Sequence, residues 1–374
     1  MLKLNDDQIM LQDTVRPFMA DDGAISKQLR HWRDIGCKDG FGHGLWKQFA
    51  ELGLTGILIP EEAGGSGLGQ VEANVVLEEI GRNLTPSPFL TTAVATVRAL
   101  EGTAHADEHF PGIVAGDTIA ALAIDEGPRH DPAAIAMKAE RSGNGFRLSG
   151  AKQFVVHGAS ADLLLVAART GGSAGEEEGI TLFAMKPDAK GLDIENVALA
   201  DHSKAARLTL DKVEVDADAV VGEVDGGHAI LERALSAGRA GAASELTGVA
   251  AGAFAMTNDY LKQRKQFGQE IGRFQALQHR AAHLWGEIEI ARAAALKAAQ
   301  VMDADKPHAS LFVSVAKAKA GSVSRLAVQE AIQMHGGIGM TDEHDVGFYM
   351  KRQAVVDELF GSPNFHAMRV AGRS

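Results

Sequence analysis

The hydrophobic pattern of this chain changes period twice, and that succession restricts its architecture more than any single residue does. Up to about residue 117 apolar positions recur at helical spacing, with Leu11, Val15 and Phe18 followed by Leu45, Phe49 and Leu52 ahead of Gly53. Residues 59–69 are rich in breakers and read as a loop, after which helical periodicity resumes over residues 75–80. Near Ile119 the texture becomes one of short apolar runs bounded by glycine or charge, at residues 121–124, 145–150, 163–168, 180–185, 208–210 and 213–215. Such runs predict strands, and their spacing suits a compact sandwich or barrel. From Gly227 the helical period returns, as in Leu284, Ile288, Ala291 and Ala295, and abundant alanine permits the close helix approach of an antiparallel bundle. The expectation is an α+β chain: an N-terminal helical domain (1–117), a middle β-sandwich or barrel domain (118–222) and a C-terminal four-helix bundle (223–374).

A chain of 374 residues is too long for one ordinary core and suits several packed layers. Its net charge of −12 leaves no basic excess to displace counterions from phosphates, so a nucleic-acid role is not expected. The single cysteine, Cys37, has no internal disulfide partner and fits a reducing compartment. The first residues lack the basic and apolar segments of a secretory signal, and no apolar run reaches the ~20 residues of a membrane span. A cytoplasmic protein with no membrane partner is the expectation.

Three motifs carry chemistry. Arg264-Lys265-Gln266-Phe267-Gly268 ends a helical stretch with cations, an aromatic ring and a glycine, and Phe274-Gln275 follows two turns later. A guanidinium there suits a pyrophosphate, and the apolar face suits an adenine or flavin ring. Gln333-Met334-His335-Gly336-Gly337-Ile338-Gly339 adds a glycine pair that lets backbone amides approach an anion, or serves as a helix C-cap. Two further patterns are set aside. Residues 171–175 match a nucleophile elbow but precede Glu176, Glu177 and Glu178 rather than a helix, and read as a hairpin loop. His105-Ala106-Asp107-Glu108-His109 matches a zinc pattern, yet beside Pro111 it reads as a short inter-helix stretch without a third ligand, so no metal is expected.

With the string that runs from Arg264 to His279, these motifs resemble the acyl-CoA dehydrogenase family, and the resemblance covers essentially the whole chain. It implies FAD contacts by Arg264, Phe267, Ile271, Phe274, Gln275 and Leu277, with Gln333, Gly336 and Gly337 completing that surface from the other subunit. Residues 150–158 look like the segment that covers the flavin ring. Phe154 stands where many members have tryptophan, and Val156 where a serine or threonine would bond the flavin near N5; valine keeps the shape but cannot donate. Upstream, backbone amides at Ala123 and Ile124 would serve the flavin, and Arg129 and His130 either add charge near a phosphate or belong to an exposed loop.

The resemblance further implies α,β-dehydrogenation of an acyl-CoA thioester to a trans-2-enoyl-CoA, as in fatty acid metabolism. The electron acceptor would be an electron-transfer flavoprotein, and the assembly a homo- or hetero-tetramer with a related chain. Residues 335–352 and the Leu359-Phe360-Gly361 element look most like the small-subunit type of pimeloyl-CoA dehydrogenase. The family's two known positions for the catalytic base fall on Gly361 and Gly238, neither of which can take a proton, and Arg239 is expected at the substrate. Glu245, Asp357 and Glu358 are the acids nearest those positions, each also explained as a structural or exposed carboxylate. A non-catalytic flavin-binding or structural subunit is the alternative.

Overall fold

The computed structural model describes residues 2–372. Its helices are α1 Asp6–Asp21, α2 His31–Asp34, α3 His43–Glu51, α4 Gln70–Asn83, α5 Val97–Leu100, α6 His105–Val114, α7 Gly227–Gln263, α8 Gln275–Asp303, α9 Ala309–His335, α10 Val346–Glu358 and α11 Pro363–Val370. The helical, β and helical order expected along the chain is what forms. The internal contacts divide it into two compact units, each discontinuous in sequence.

The first unit comprises Met1–His31, Gln70–Pro86 and Arg239–Ser374. Asn5 caps α1 through a reciprocal pair with Gln8, which satisfies two otherwise orphaned backbone groups. The long helices α7, α8, α9 and α10 bury Ala250, Leu284, Ile288, Ala291, Val323 and Ala327 in one cluster and Val249, Ala253, Val328, Val346 and Tyr349 in another. Small residues set how closely α4 and α7 approach. A Cβ on Gly81 would lie 2.1 Å from the Glu245 carbonyl oxygen, and one on Gly248 would lie 2.0 Å from that of Glu78.

The second unit comprises Trp32–Gly69 and Ser87–Gly238. Its strands are β1 Ala120–Ala123, β2 Lys138–Ser142, β3 Gly145–Val156, β4 Leu163–Arg169, β5 Ile180–Met185, β6 Leu192–Ala198, β7 Lys204–Val215 and β8 Val220–Val221, in the order β6-β7-β3-β2-β4-β5-β8 with β1 parallel to β4. A single register pair, Lys138 with Arg169, links β2 to β4 and so joins two halves of the sheet. Side chains from both halves share a core in which Phe146 and Phe183 meet edge to face at 5.3 Å. The runs at 208–210 and 213–215, separate in the sequence pattern, are one strand, β7, with Lys212 at φ +55° between them. Residues 105–109 form the first turn of α6 rather than an inter-helix connection.

Overpacking a helix crossing costs about 1–3 kcal/mol. Gly248→Ala is therefore expected to lower the urea midpoint without changing the slope of the transition. Gly286→Ala on α8, where an added Cβ meets nothing, is expected to leave the midpoint unchanged or raise it.

Candidate functional site

In the first unit α7 ends at Gln263, and the Arg264 amide still bonds the Tyr260 carbonyl at 2.8 Å. The chain then makes a two-stranded hairpin, β9 Lys265–Gln266 and β10 Gln269–Glu270, with Phe267 (φ +53°) and Gly268 (φ +81°) at its tip. Phe267 is 91% exposed and meets the half-buried Phe274 edge-on at 6.2 Å. Ile271 and Leu277 are half-buried, whereas Gln275 is exposed. Arg264 is also exposed, and the acid it would pair with on a purely structural reading is taken: Glu270 binds Arg273 at 2.6 Å and Lys265 at 3.7 Å.

At the end of α9, Gln333 is exposed and Gly336 takes φ +66°, and nothing lies within 4 Å of a Cβ built on Gly336 or Gly337. The glycine turn was expected to complete the surface from another subunit. Within one chain it stands beside the end of α7, because Tyr260, one helical turn before Arg264, stacks on His335 at 4.4 Å. His344 packs against both rings, 4.5 Å from His335 and 6.2 Å from Tyr260. The His335 Nδ1 donates to the Ala331 carbonyl at 2.7 Å, leaving a buried Nε2 with no partner among the described residues. Burial, with His344 adding to it, holds this imidazole below its ordinary value, so it is neutral at pH 7.

In the second unit the resemblance selects Ala123, Ile124, Phe154 and Val156. Ala123 and Ile124 are buried at the end of β1, where Lys152, 0% exposed, donates to the Ile124 carbonyl at 2.9 Å and to Glu126 at 2.7 Å. Glu126 also accepts from the Ala136 and Met137 amides. Burial pushes the Lys152 ammonium below its ordinary value while Glu126 opposes the shift. His130 bonds Asp125 inside this loop at 2.9 Å, and Arg129 is exposed. Phe154 sits at φ +54° where the β3–β7 register shifts, a bulge that re-aims side chains, and Val156 is buried.

The turn after α10 holds Gly361, where the resemblance puts the first position for the base. Gly361 has φ +108°, and a Cβ there would lie 2.4 Å from the Phe365 ring and 3.0 Å from His366 Nε2. Its surroundings are held by cations: Lys317 donates to the carbonyls of Val356, Asp357 and Gly361 at 2.9–3.1 Å, and Arg239 donates to that of Phe360 at 3.3 Å. His366 Nε2 donates to the same Phe360 carbonyl at 3.1 Å. Arg239, which the resemblance puts at the substrate, is buried, with its guanidinium over the Phe365 ring. Of the candidate acids, Glu245 is 1% exposed and bound by Arg352 at 2.5 Å, and Asp357 is bound by Arg325 at 2.6 Å. Glu358 is exposed, and Gly238 is buried within α7.

Models of the acyl-CoA dehydrogenase N-terminal, middle and C-terminal domains match residues 5–117, 121–213 and 225–374. The chain is 30% identical over 341 residues to cyclohex-1-ene-1-carbonyl-CoA dehydrogenase of Syntrophus aciditrophicus (strain SB), covering 87% of this chain and 80% of that one. It belongs to the acyl-CoA dehydrogenase family. It is also 28% identical to the mitochondrial short/branched chain specific acyl-CoA dehydrogenase of Bos taurus, over 98% of this chain and 85% of that one. Among solved structures, a variant of the Tcur3481-Tcur3483 steroid ACAD superposes with TM-score 0.88 at 31% identity, covering 98% and 97% of the two chains.

Acyl-CoA dehydrogenases are FAD-dependent oxidoreductases, and the first unit fits that cofactor. The exposed Arg264 and the open Gly336–Gly337 turn offer a cation and unobstructed amides to a diphosphate, and Glu270 beside Arg264 is already paired with Arg273 and Lys265. Sequence reasoning missed Tyr260 and His335 as the pair that brings these elements together. The signal was there: one precedes Arg264 by four residues, a single helical turn, and the other precedes Gly336 directly.

Two depressed bases give the fold a signed pH dependence. Burial, helped by Lys317 and Arg239, drives His366 to about 2, and burial drives Lys317 to about 8. Both protonate more readily unfolded, so stability is lost as pH falls below about 6.5 on account of His366 and rises again between about 8 and 10.5 as Lys317 is relieved of its charge. His366→Gln is expected to flatten the acid limb, and Lys317→Met the alkaline limb, in unfolding free energies measured by denaturant titration across pH.

Proposed function

We propose that this chain binds FAD and takes part in α,β-dehydrogenation of an acyl-CoA thioester to the trans-2-enoyl-CoA, in an assembly whose second, related chain carries the carboxylate base. FAD supplies the acceptor for the β-hydrogen and its electron pair. Arg264, Gln333 and the Gly336–Gly337 amides hold the cofactor's diphosphate end, Phe267, Ile271, Phe274, Gln275 and Leu277 line its rings, and Ala123, Ile124, Phe154 and Val156 serve the flavin. The hydroxyl that Val156 lacks leaves any hydrogen bond to the flavin there to backbone groups.

The observation that carries the reading is the environment of Gly361. Removing an α-proton from a thioester needs a positioned base, worth about 10²–10⁴-fold in rate. Here the position has no side chain, a left-handed backbone and a phenyl ring in the space a side chain would take. The nearby acids are held by arginines or exposed. Likeness to the small-subunit type of pimeloyl-CoA dehydrogenase supports the same reading, as does a similar structure that bears a paired name. A second reading, catalysis by this chain alone with Glu245 as base, rests on the Glu245 oxygen that has no partner among the described residues. In both, an electron-transfer flavoprotein takes the electrons onward, and a tetramer is the working assembly.

Anaerobic titration against a panel of acyl-CoAs separates the two readings. On the proposed reading the purified chain is yellow but is not bleached by any acyl-CoA, whereas the co-purified pair is bleached; bleaching of the chain alone establishes the second. Gly361→Glu is expected to restore no turnover and to lower the melting temperature, because the side chain must displace Phe365 from a strained turn. Arg264→Ala is expected to lose at least about tenfold in FAD affinity, the worth of a hydrogen bond to a charged group, with an unchanged melting temperature for the flavin-free protein.

A further inference from the structure

Outside the cofactor machinery, the first turns of α6 gather three metal-ligating side chains. His105 and His109 are one helical turn apart with Glu108 between them, and their candidate ligand atoms all lie within 4.8 Å of one another. The two imidazole rings are parallel to within 3° at a centroid separation of 5.9 Å. Ligands on a tetrahedral ion with metal–nitrogen bonds of about 2.0–2.1 Å stand about 3.4 Å apart.

His105 is also oriented from outside its helix. It is buried, and its Nε2 donates to the Val220 carbonyl on β8 at 3.2 Å, which fixes the neutral tautomer and leaves the lone pair on Nδ1. A metal-ligating histidine is typically held by such a bond from its other nitrogen to a carbonyl or carboxylate. His109 is partly exposed and Glu108 is 68% exposed at its side chain, so an ion can enter from solvent. The positive end of the helix opposes a cation here, and the first-turn carboxylates of Asp107 and Glu108 offset it.

We infer that His105, Glu108 and His109 form a binding site for one divalent transition-metal ion, with zinc the physiological class. Two imidazoles and one carboxylate select borderline ions such as Zn²⁺ over Mg²⁺ or Ca²⁺. Three ligands from a single helix leave the fourth position to water or to a ligand brought by another molecule. The site is independent of FAD, since none of its residues belongs to the cofactor surface.

The test is calorimetric titration of the metal-stripped, flavin-loaded protein with Zn²⁺, with Mg²⁺ in a parallel arm and flavin absorbance recorded throughout. The expected result is one Zn²⁺ per chain, no comparable uptake of Mg²⁺, and a melting temperature raised by Zn²⁺. His109→Ala and Glu108→Gln are expected to weaken Zn²⁺ by at least tenfold while flavin content and metal-free melting temperature stay at the wild-type values. Zn²⁺ uptake that is undiminished in both variants, or no uptake by the wild type, overturns the inference. His109→Cys distinguishes a lost ligand from a local disturbance: a thiolate ligand restores binding.

Discussion

A fully buried ammonium fixes the part of this protein on which its chemistry turns. Lys317 is 0% exposed, and taking its charge out of water is costly unless backbone oxygens replace the solvent. Three carbonyls do so, two from the last turn of α10 and one from Gly361. The C-terminal end of that helix is a natural seat for a cation, because its terminal carbonyls lack intrahelical partners. With Arg239 and His366 on the Phe360 carbonyl, four carbonyls between Val356 and Gly361 are pinned. The backbone there adopts two successive left-handed residues, Phe360 and Gly361, and the Phe365 ring fills the space a side chain would need. Gly361 thus belongs to a turn that has no room for a side chain.

The proposed cofactor surface follows a different rule. It is exposed where the turn after α10 is buried, and it is made precise by aromatic stacking behind it. Tyr260 and His335 sit beneath Arg264 and Gly336, so the hairpin and the glycine turn keep one spacing although some 70 residues separate them in the chain. A neutral His335 suits that position, since a second cation among the buried rings would be poorly solvated.

Much of this was legible in the sequence, at the level where local pattern decides. The period changes marked helices and strands, and Leu284, Ile288, Ala291 and Ala295 are buried together on α8 as their spacing required. The Arg264 and Gly336 motifs were found because their chemistry is written in neighbouring residues. What stayed hidden depends on contacts distant in sequence. Lys152 and Lys317 look like surface lysines until carbonyls elsewhere in the fold surround them, and the contacts of Arg239 with the Phe360 carbonyl and the Phe365 ring are likewise absent from its local pattern. Pro111 was read as a break, yet α6 runs through it to Val114, which carries His105 and His109 onto one helical face.

The two halves of the functional reading constrain one another. Phe267, almost wholly exposed at a left-handed backbone position on a hairpin tip, gains nothing for the isolated chain, since it leaves a large apolar ring in water on a strained residue. Such a residue is retained where something covers it, and a cofactor or a neighbouring chain does so without changing the fold beneath. The Gly361 turn, in contrast, is complete as it stands, with its carbonyls satisfied and its space filled. A chain that keeps its cofactor surface open while closing its base position is physically consistent with a division of labour, in which binding is kept and proton removal is handed to a related partner.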